Sequence, residues 1–423
     1  MEQGGRNEHL LRLSNTLTGR KEAFVPETGR EVKVFACGPS VYRRPHVGNY
    51  ATFLYEDILV RYLKYLGHKV HWVMNITDVE DKAMEEAREQ GLDLQALTRP
   101  VVNRFFQEAE ELGISLPEEI PRSSEVVDQA VLIIRNLLRN GYAYVHKDDV
   151  FFDPLKFPGF GKLYGLDMRN WPRKRIRFRK DTYPGRRWNR GDFILWHGCQ
   201  DRDAPAFCWS TPLGKGRPAW NVQDPAVITK YLGPCIDIAC GGVDNLFRHH
   251  DYTIAVTEAF SGEKLARYWL HGEHVLLNGS KMSKSKGNIV YPGDLYREGY
   301  TGKQIRFYLI YGHYREKKNL TEKSLGAAVG LLESFRGLAN EFVFPDSGAG
   351  RSAGAFTSPL VVEMIKGFER YMSNDLDIKG SFDSLHKHLV RWKQVKDQGD
   401  LSDRDRREVA TVLNQADQVF QVL

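Results

Sequence analysis

Cysteine is scarce in this chain of 423 residues. There are five cysteines, an odd number, and no two of them form a CxxC motif. No run of about 18 uncharged apolar residues is present, and the first residues, MEQGGRNEHL, lack the basic and apolar blocks of an export signal. We therefore predict a cytoplasmic protein with no membrane span and no disulfide framework.

The chain also lacks a strong charge of either sign. Its net charge is +6 and its isoelectric point is near 8.9, a mild basic bias that fits nucleotide or nucleic-acid partners but is shared by many proteins with neither. Apolar residues make up 42% and charged residues 27% of the sequence. This composition and length predict a globular chain of roughly two to four structural units, without an internal repeat.

The first third of the chain contains a strand, helix, strand pattern. The segments 31–36 and 70–74 alternate and then become apolar, as strands do. Between them, the segment 50–66 has apolar residues at helical spacing and no internal proline or glycine. Such a unit predicts an α/β fold with a Rossmann-like parallel sheet that binds a nucleotide.

Amphipathic helices are predicted to follow at 79–90, 100–112 and 125–140, the second opening on Pro100, because proline suits a first helical position. From Phe151 to Trp220 the pattern breaks into short pieces rich in Gly, Pro and Trp, as expected of an inserted connective region.

A second α/β stretch resumes near Val227, with a predicted strand at 235–239 and a predicted helix at 251–260. After Asn319 the chain becomes helical, apart from a linker at 345–359 that reads PDSGAGRSAGAFTSP. We predict four units: the first half of the catalytic domain at 1–150, a basic connective region at 151–219, the second half at 220–318 and a helical bundle at 319–423.

Two segments carry residues suited to phosphate. CGPSVYRRPHVGN, residues 37–49, follows the first predicted strand and opens the first helix, where free backbone N–H groups and the helix dipole attract anions. His46 and Asn49 are candidate donors to phosphate, and Gly48 lets an adenine ring lie against bare backbone. Gly38 and Pro39 of the same segment are assigned to the nucleotide site.

The second segment, KMSKS, comprises Lys281, Met282, Ser283, Lys284 and Ser285. Two lysines three residues apart on a loop are placed to meet the charge that grows on departing pyrophosphate when an α-phosphorus is attacked. Each segment alone is a weak indication, because most lysine-rich loops are solvated surface. Together, in this order and context, they predict ATP-dependent adenylate formation, with His46, Asn49, Lys281 and Lys284 as catalytic residues.

Over nearly its whole length the chain resembles the cysteinyl-tRNA synthetase family. The resemblance rests on blocks that occur in the family's order: SNTLTGRKEAF, CGPSVYRRPHVGN, RYLKYLGHKVHWVMNITDVEDK, DFILW, GKGRPAW, CGGVDNLFRHHD, KMSKSKGN and RFYLIYGHYR. It implies a class I catalytic domain that forms an aminoacyl-adenylate from ATP with Mg²⁺. It also implies an inserted connective region and a C-terminal helical bundle.

The resemblance also implies an amino-acid pocket. Thr77, Trp220 and Asp244 fall on positions that line it in the family, and Asp244 is the expected partner of the substrate ammonium, because an enclosed cation needs a paired carboxylate. Core packing for Trp220 and a helix cap for Asp244 are the alternatives.

The match fails where the family holds zinc. Its members bind the substrate thiolate through a zinc ion held by two Cys, one His and one Glu. Cys37 and His249 remain, but the second cysteine position is Asp224 and the glutamate position is Thr253, a poor zinc ligand. We therefore predict that zinc is absent, with Cys37, Asp224 and His249 as residual candidates that otherwise line the pocket. The alternative is that Cys37 and His249 are ordinary core residues.

Neighbouring positions have changed too, with Asn221 where the family has His and Ala239-Cys240 where it has His-Gly. Retained ATP motifs beside an altered pocket predict activation of an amino acid other than cysteine, or of cysteine without metal. A hydroxyl, amide or small amine on the substrate would suit Asp224.

The acceptor remains open. The chain stops where the family's tRNA-reading enzymes add an anticodon-binding domain, and the related ligase of the mycothiol pathway, which joins cysteine to an amino sugar, stops there too. We therefore expect either a tRNA acceptor stem or a small amine. The segment 169–190 has ten Lys or Arg residues with aromatic residues between them, as in nucleic-acid surfaces and in solvated loops alike.

Two other functions compete with this one. The first is a genuine cysteine–tRNA ligase with a remodelled pocket. The second, of a different class, is an inactive paralogue that binds tRNA or a partner protein. The retained His46, Asn49, Lys281 and Lys284 argue against the second, because an inactive binding module has no need of lysines that stabilise departing pyrophosphate.

Overall fold

A computed structural model describes residues 10–27, 29, 31–169, 191–199, 208–283, 286–342 and 356–423. Its strands are β1 Arg12–Asn15, β2 Arg20–Ala23, β3 Glu31–Ala36, β4 Lys69–Met74, β5 Ala143–His146, β6 Asp149–Phe152, β7 Phe193–Gly198, β8 Trp209–Thr211, β9 Gly214–Pro218, β10 Ile236–Gly242, β11 Ala266–Gly272, β12 Val275–Leu277, β13 Ser280–Lys281 and β14 Lys318–Leu320. Its α-helices are α1 Val47–Tyr65, α2 Asp81–Gln90, α3 Leu94–Glu111, α4 Val127–Arg139, α5 Trp220–Tyr231, α6 Asp251–Ser261, α7 Pro292–Arg297, α8 Gly302–Ile310, α9 Glu322–Ala339, α10 Pro359–Met372, α11 Ile378–Asp397 and α12 Asp403–Phe420.

The central sheet is parallel, in the order β11-β10-β3-β4. The helix α1 connects β3 to β4, which confirms the predicted strand, helix, strand unit. In register, Ala36 of β3 lies beside Cys240 of β10 on one side and Met74 of β4 on the other. The segments that follow these residues therefore meet at one edge of the sheet, where ligands of such folds bind.

The region between the two halves of that sheet forms its own antiparallel sheet, in the order β5-β6-β7-β9-β8. The sequence predicts no disulfide framework, and the structure shows one disulfide, between Cys199 and Cys208, whose Cα atoms are 6.0 Å apart. They adjoin β7 and β8, which both pair with β9. That pairing, which no sequence spacing shows, brings the two cysteines together.

One predicted helix start was wrong. Pro100 lies inside α3 rather than at its beginning, because the Asp93 side chain caps the helix earlier by accepting from the Ala96 N–H at 2.7 Å. The second α/β stretch, predicted to resume near Val227, opens with α5 at Trp220, so both Trp220 and Asp224 lie on α5.

The C-terminal helices pack on the catalytic sheet through α1 and α8. Arg306 of α8 is fully buried and donates to Asp57 of α1 at 2.6 Å and to the Phe420 carbonyl of α12 at 2.6 Å. Removing one partner of such a buried pair leaves an uncompensated charge, which is strongly destabilising. Within the described ranges no helix is both long and apolar enough to cross a membrane.

Candidate active site

His46 caps the first helix. Its Nδ1 accepts from the Gly48 N–H at 3.0 Å, and the Asn49 side chain accepts from the His46 N–H at 3.0 Å. Burial lowers the pKa of His46, so its imidazole is neutral at pH 7. Because Nδ1 is the acceptor, Nε2 carries the proton and is free to donate to an anion at the start of α1.

The two phosphate motifs touch each other. A Cβ atom on Gly48 would lie 2.9 Å from Cε1 of His46 and 3.2 Å from Cε of Met282, so a larger residue at this position would crowd the His46 ring and the Met282 side chain. The charges of Lys281 and Asp244 both act on His46. The Asp244 charge raises the pKa of His46, and the Lys281 charge lowers it. Ser283 donates its N–H to Asn288 at 2.9 Å, which closes the loop. Lys284 lies outside the described residues.

Asp244 does not have the enclosed position predicted for it. Its side chain is 62% exposed and accepts from Lys281 Nζ at 2.6 Å, with His274 at 3.4 Å. Solvent and Lys281 therefore stabilise its charge in the structure. The assignment of Asp244 to the substrate ammonium stays a prediction.

The segment after β3 is pressed against the segment after β4. Gly38 donates its N–H to Asn75 Oδ1 at 2.8 Å, and a Cβ on Gly38 would overlap the Asn75 carbonyl oxygen at 1.7 Å. The Thr77 N–H donates to the Pro39 carbonyl at 3.2 Å. Asn75 also donates to Asp224 Oδ1 at 2.7 Å and to Thr77 Oγ1 at 3.4 Å. Asn75 thus joins the nucleotide segment to the pocket, a role that the sequence analysis missed.

The pocket residues converge on Cys37. Its Sγ lies 3.3 Å from Asp224 Oδ2, 3.3 Å from His249 Nε2 and 3.0 Å from His250 Nε2. His249 Nε2 lies 2.8 Å from Asp224 Oδ2, and the Trp220 ring stacks on the His249 ring with centroids 5.4 Å apart. The structure therefore brings together the predicted Cys37, Trp220, Asp224 and His249, and adds His250.

Within this cluster, the Cys37 thiol and the His250 imidazole are both uncharged. Burial, and then the neighbouring Asp224 carboxylate, raises the pKa of the Cys37 thiol well above its ordinary value. Burial also lowers the pKa of His250 well below its ordinary value. Without a cation, the chain therefore holds a thiol and a neutral imidazole side by side.

His250 was not predicted, because only His249 falls on a ligand position of the family's zinc site. The backbone before α6 is not helical, with Arg248 at φ 73° and Phe247 at ψ 138°. This turn aims both His249 and His250 at Cys37. Thr253, on the first turn of α6, is buried and donates its hydroxyl to the His249 carbonyl at 3.0 Å, which holds the turn.

The chain matches one family of known proteins along most of its length. Residues 23–330 match the family model described as tRNA synthetases class I (C) catalytic domain. A cysteine–tRNA ligase of Chlamydia pneumoniae is 37% identical over 414 residues, which are 98% of this chain and 86% of the relative. One of Brachyspira hyodysenteriae is 39% identical over 331 residues, which are 78% of this chain and 68% of the relative.

Solved structures share the fold at lower identity. A Mycobacterium tuberculosis methionyl-tRNA synthetase bound by methionyl-adenylate has a TM-score of 0.64 at 15% identity, over 92% of both chains. An Agrobacterium radiobacter K84 LeuRS in a ternary complex with tRNA has a TM-score of 0.65 at 12% identity, over 94% of this chain and 85% of that one. The α/β fold predicted from sequence is confirmed, and the chain belongs to the class I cysteinyl-tRNA synthetase family of ligases.

Proposed function

We propose that this chain activates an amino acid with ATP and transfers the aminoacyl group to tRNA. The observation that carries the proposal is the contact between the two phosphate motifs, in which Met282 packs on Gly48 beside His46. Activation requires positive charge and donors on both sides of the triphosphate. This contact supplies them from two distant parts of the sequence.

In the proposed reaction, ATP with Mg²⁺ lies across the start of α1. The free Nε2–H of His46, Asn49 and the backbone of the first turn bind phosphate oxygens, and Gly38, Pro39 and Gly48 leave room for the nucleotide. The substrate carboxylate attacks the α-phosphorus, the bond to the β-phosphate oxygen breaks, and pyrophosphate leaves.

Lys281 has two partners in this scheme. In the structure its ammonium donates to Asp244 at 2.6 Å. We propose that it turns to the leaving pyrophosphate together with Met282, Ser283 and Lys284 of its loop, and so stabilises charge that exists only in the transition state. Between turnovers, Asp244 keeps the Lys281 ammonium paired beside the nucleotide site.

The amino-acid side chain is proposed to enter the cluster of Cys37, Asp224 and His249, between Thr77 and Trp220. The buried Asp224 carboxylate favours a side chain that donates a hydrogen bond, such as a hydroxyl, amide or amine. Cysteine is the second candidate, favoured by relatives that are named cysteine–tRNA ligases.

Transfer to a tRNA acceptor stem is supported by the same relatives, whereas a small amine remains the alternative acceptor. An inactive paralogue that binds tRNA or a protein is disfavoured because His46, Asn49 and Lys281 are retained and His46 has a free donor.

A pyrophosphate-exchange screen over all protein amino acids and common small non-protein ones tests the activation step. At least one amino acid should support exchange, and Lys281→Ala should abolish most of it. If no amino acid supports exchange above background, the proposal fails. Charging of total tRNA, compared with transfer to amino sugars and other small amines, then identifies the acceptor.

A further inference from the structure

Three metal-binding atoms lie together in the buried cluster. Sγ of Cys37 and one ring nitrogen each of His249 and His250 are all within 4.8 Å of one another. Zinc was predicted to be absent because Cys37, Asp224 and His249 were the only ligands considered, and together they form a weak zinc site. That count omitted His250, whose Nε2 lies 3.0 Å from Sγ.

His250 is held in the orientation that a ligand needs. Its Nε2 faces Cys37, while its Nδ1 lies 2.8 Å from His271 Nε2, and His271 Nδ1 lies 2.9 Å from Thr16 Oγ1. Metal-binding histidines nearly always use their second nitrogen in a hydrogen bond of this kind, which fixes the ring and its tautomer. Both rings are buried, so neither is free to rotate.

We propose that Cys37, His249 and His250 bind a divalent transition-metal ion, with His271 as the positioning residue for His250. One sulfur and two imidazoles suit zinc, which accepts this donor set. His250 thereby makes up for the carboxylate that Thr253 does not provide. Three protein ligands leave a fourth position free, as in catalytic zinc sites.

Asp224 contributes from beside the metal. Its Oδ1 is held by Asn75, and its Oδ2 is 3.3 Å from Cys37 Sγ and 2.8 Å from His249 Nε2. A buried carboxylate at this place adds negative charge that favours a bound cation. His249 is the most exposed of the three ligands, with 23% of its side chain accessible, so a substrate reaches the metal past His249 and Trp220.

The test measures metal binding without ATP, so its outcome is independent of the activation reaction. The full chain, stripped with a chelator and kept reduced, is titrated with Co²⁺. One equivalent should bind and give a sulfur-to-cobalt charge-transfer band. Cys37→Ser should remove the band, and His250→Gln should weaken Co²⁺ binding at least about tenfold. Cys235→Ser, at a free cysteine outside the cluster, is the matched control and should change neither.

X-ray absorption of the zinc-loaded wild-type chain needs no variant and therefore covers the case in which His250→Gln fails to fold. It should show one sulfur and two imidazoles. His271→Gln should lower metal affinity less than His250→Gln does while keeping the charge-transfer band. The proposal is overturned if the wild-type chain binds no metal, or if it shows a single imidazole.

Discussion

The two ends of the site are built in different ways. The ATP end, at His46, Gly48 and Lys281, is partly exposed and consists of two short continuous motifs. The pocket end, at Cys37 and Asp224, is buried and takes its residues from four separate segments. The ATP end matches what its motifs predict, whereas the pocket end combines predicted residues with ones that no motif indicated.

The difference follows from what each end must do. Phosphate binding uses backbone N–H groups and mobile charge, which a few consecutive residues supply. A side-chain pocket must enclose its ligand, so its walls come from whatever the fold packs together. Substitutions in one end should therefore leave the other largely intact, and the following experiments test that separation.

The largest effect is expected from Lys281→Ala. Loss of a charge that acts on departing pyrophosphate should reduce pyrophosphate exchange by about 100- to 1000-fold. Affinity for ATP, measured by equilibrium binding, should change far less, because the charge of Lys281 matters chiefly as pyrophosphate departs. Lys264→Ala, at an exposed lysine, is the control. Equal losses of rate and of ATP affinity would contradict the assigned role.

Asp224→Asn should weaken binding of the amino acid at the pocket end and leave binding of ATP unchanged. The amide keeps an oxygen for the Asn75 contact but removes the charge beside Cys37 and His249. The KM for the amino acid should rise by about 10- to 100-fold, as for the loss of a charged hydrogen bond. The KM for ATP should stay within about threefold if the two ends are independent.

Asp128→Asn serves as the control for that variant, because the Asp128 side chain is 74% exposed and pairs only with the surface residue Lys230 among the contacts described. A parallel rise of both KM values in Asp224→Asn would show that Asn75 couples the two ends tightly.

Glu56, on α1, makes the free energy of unfolding depend on pH. It is fully buried, neither carboxylate oxygen has a hydrogen-bond partner in the described structure, and burial raises its pKa well above the usual range. The folded chain keeps a proton that the unfolded chain loses above about pH 4.3, so the free energy of unfolding falls as pH rises, by about 1.4 kcal/mol per pH unit up to the folded pKa.

Glu56→Gln removes that proton and should gain stability over the wild type as pH rises from about 5 to 8. Urea unfolding of both chains at several pH values measures the gap. A gap that does not change with pH would mean that Glu56 is ionised and paired in the folded chain.

His46 also makes the free energy of unfolding depend on pH, with the opposite sign and a smaller size. Burial lowers its pKa, so the unfolded chain takes up a proton first as pH falls below about 6.5, and the fold loses stability towards acid. Asn is a good capping residue, so His46→Asn should keep the cap while removing the titration. Below about pH 6.5 the wild type should lose stability relative to His46→Asn, and equal acid slopes in thermal unfolding would refute this.

Much of the fold follows from local patterns. The strand at 31–36 was predicted with its exact bounds, and the helix α1 begins only three residues before its prediction, because His46 caps it. The cap was harder to predict than the helix, because histidine is not a preferred capping residue. The disulfide between Cys199 and Cys208 was missed, because sheet pairing rather than sequence spacing brings the two cysteines together.

The sequence alone determined the family, the parallel sheet and the ATP motifs, because each of these depends on residues close together in the chain. Only the tertiary structure decided what surrounds Cys37. It placed His250 beside Cys37 through a non-helical turn, and it paired the exposed Asp244 side chain with Lys281. Contacts between segments some 200 residues apart follow from packing in three dimensions, which no local periodicity records.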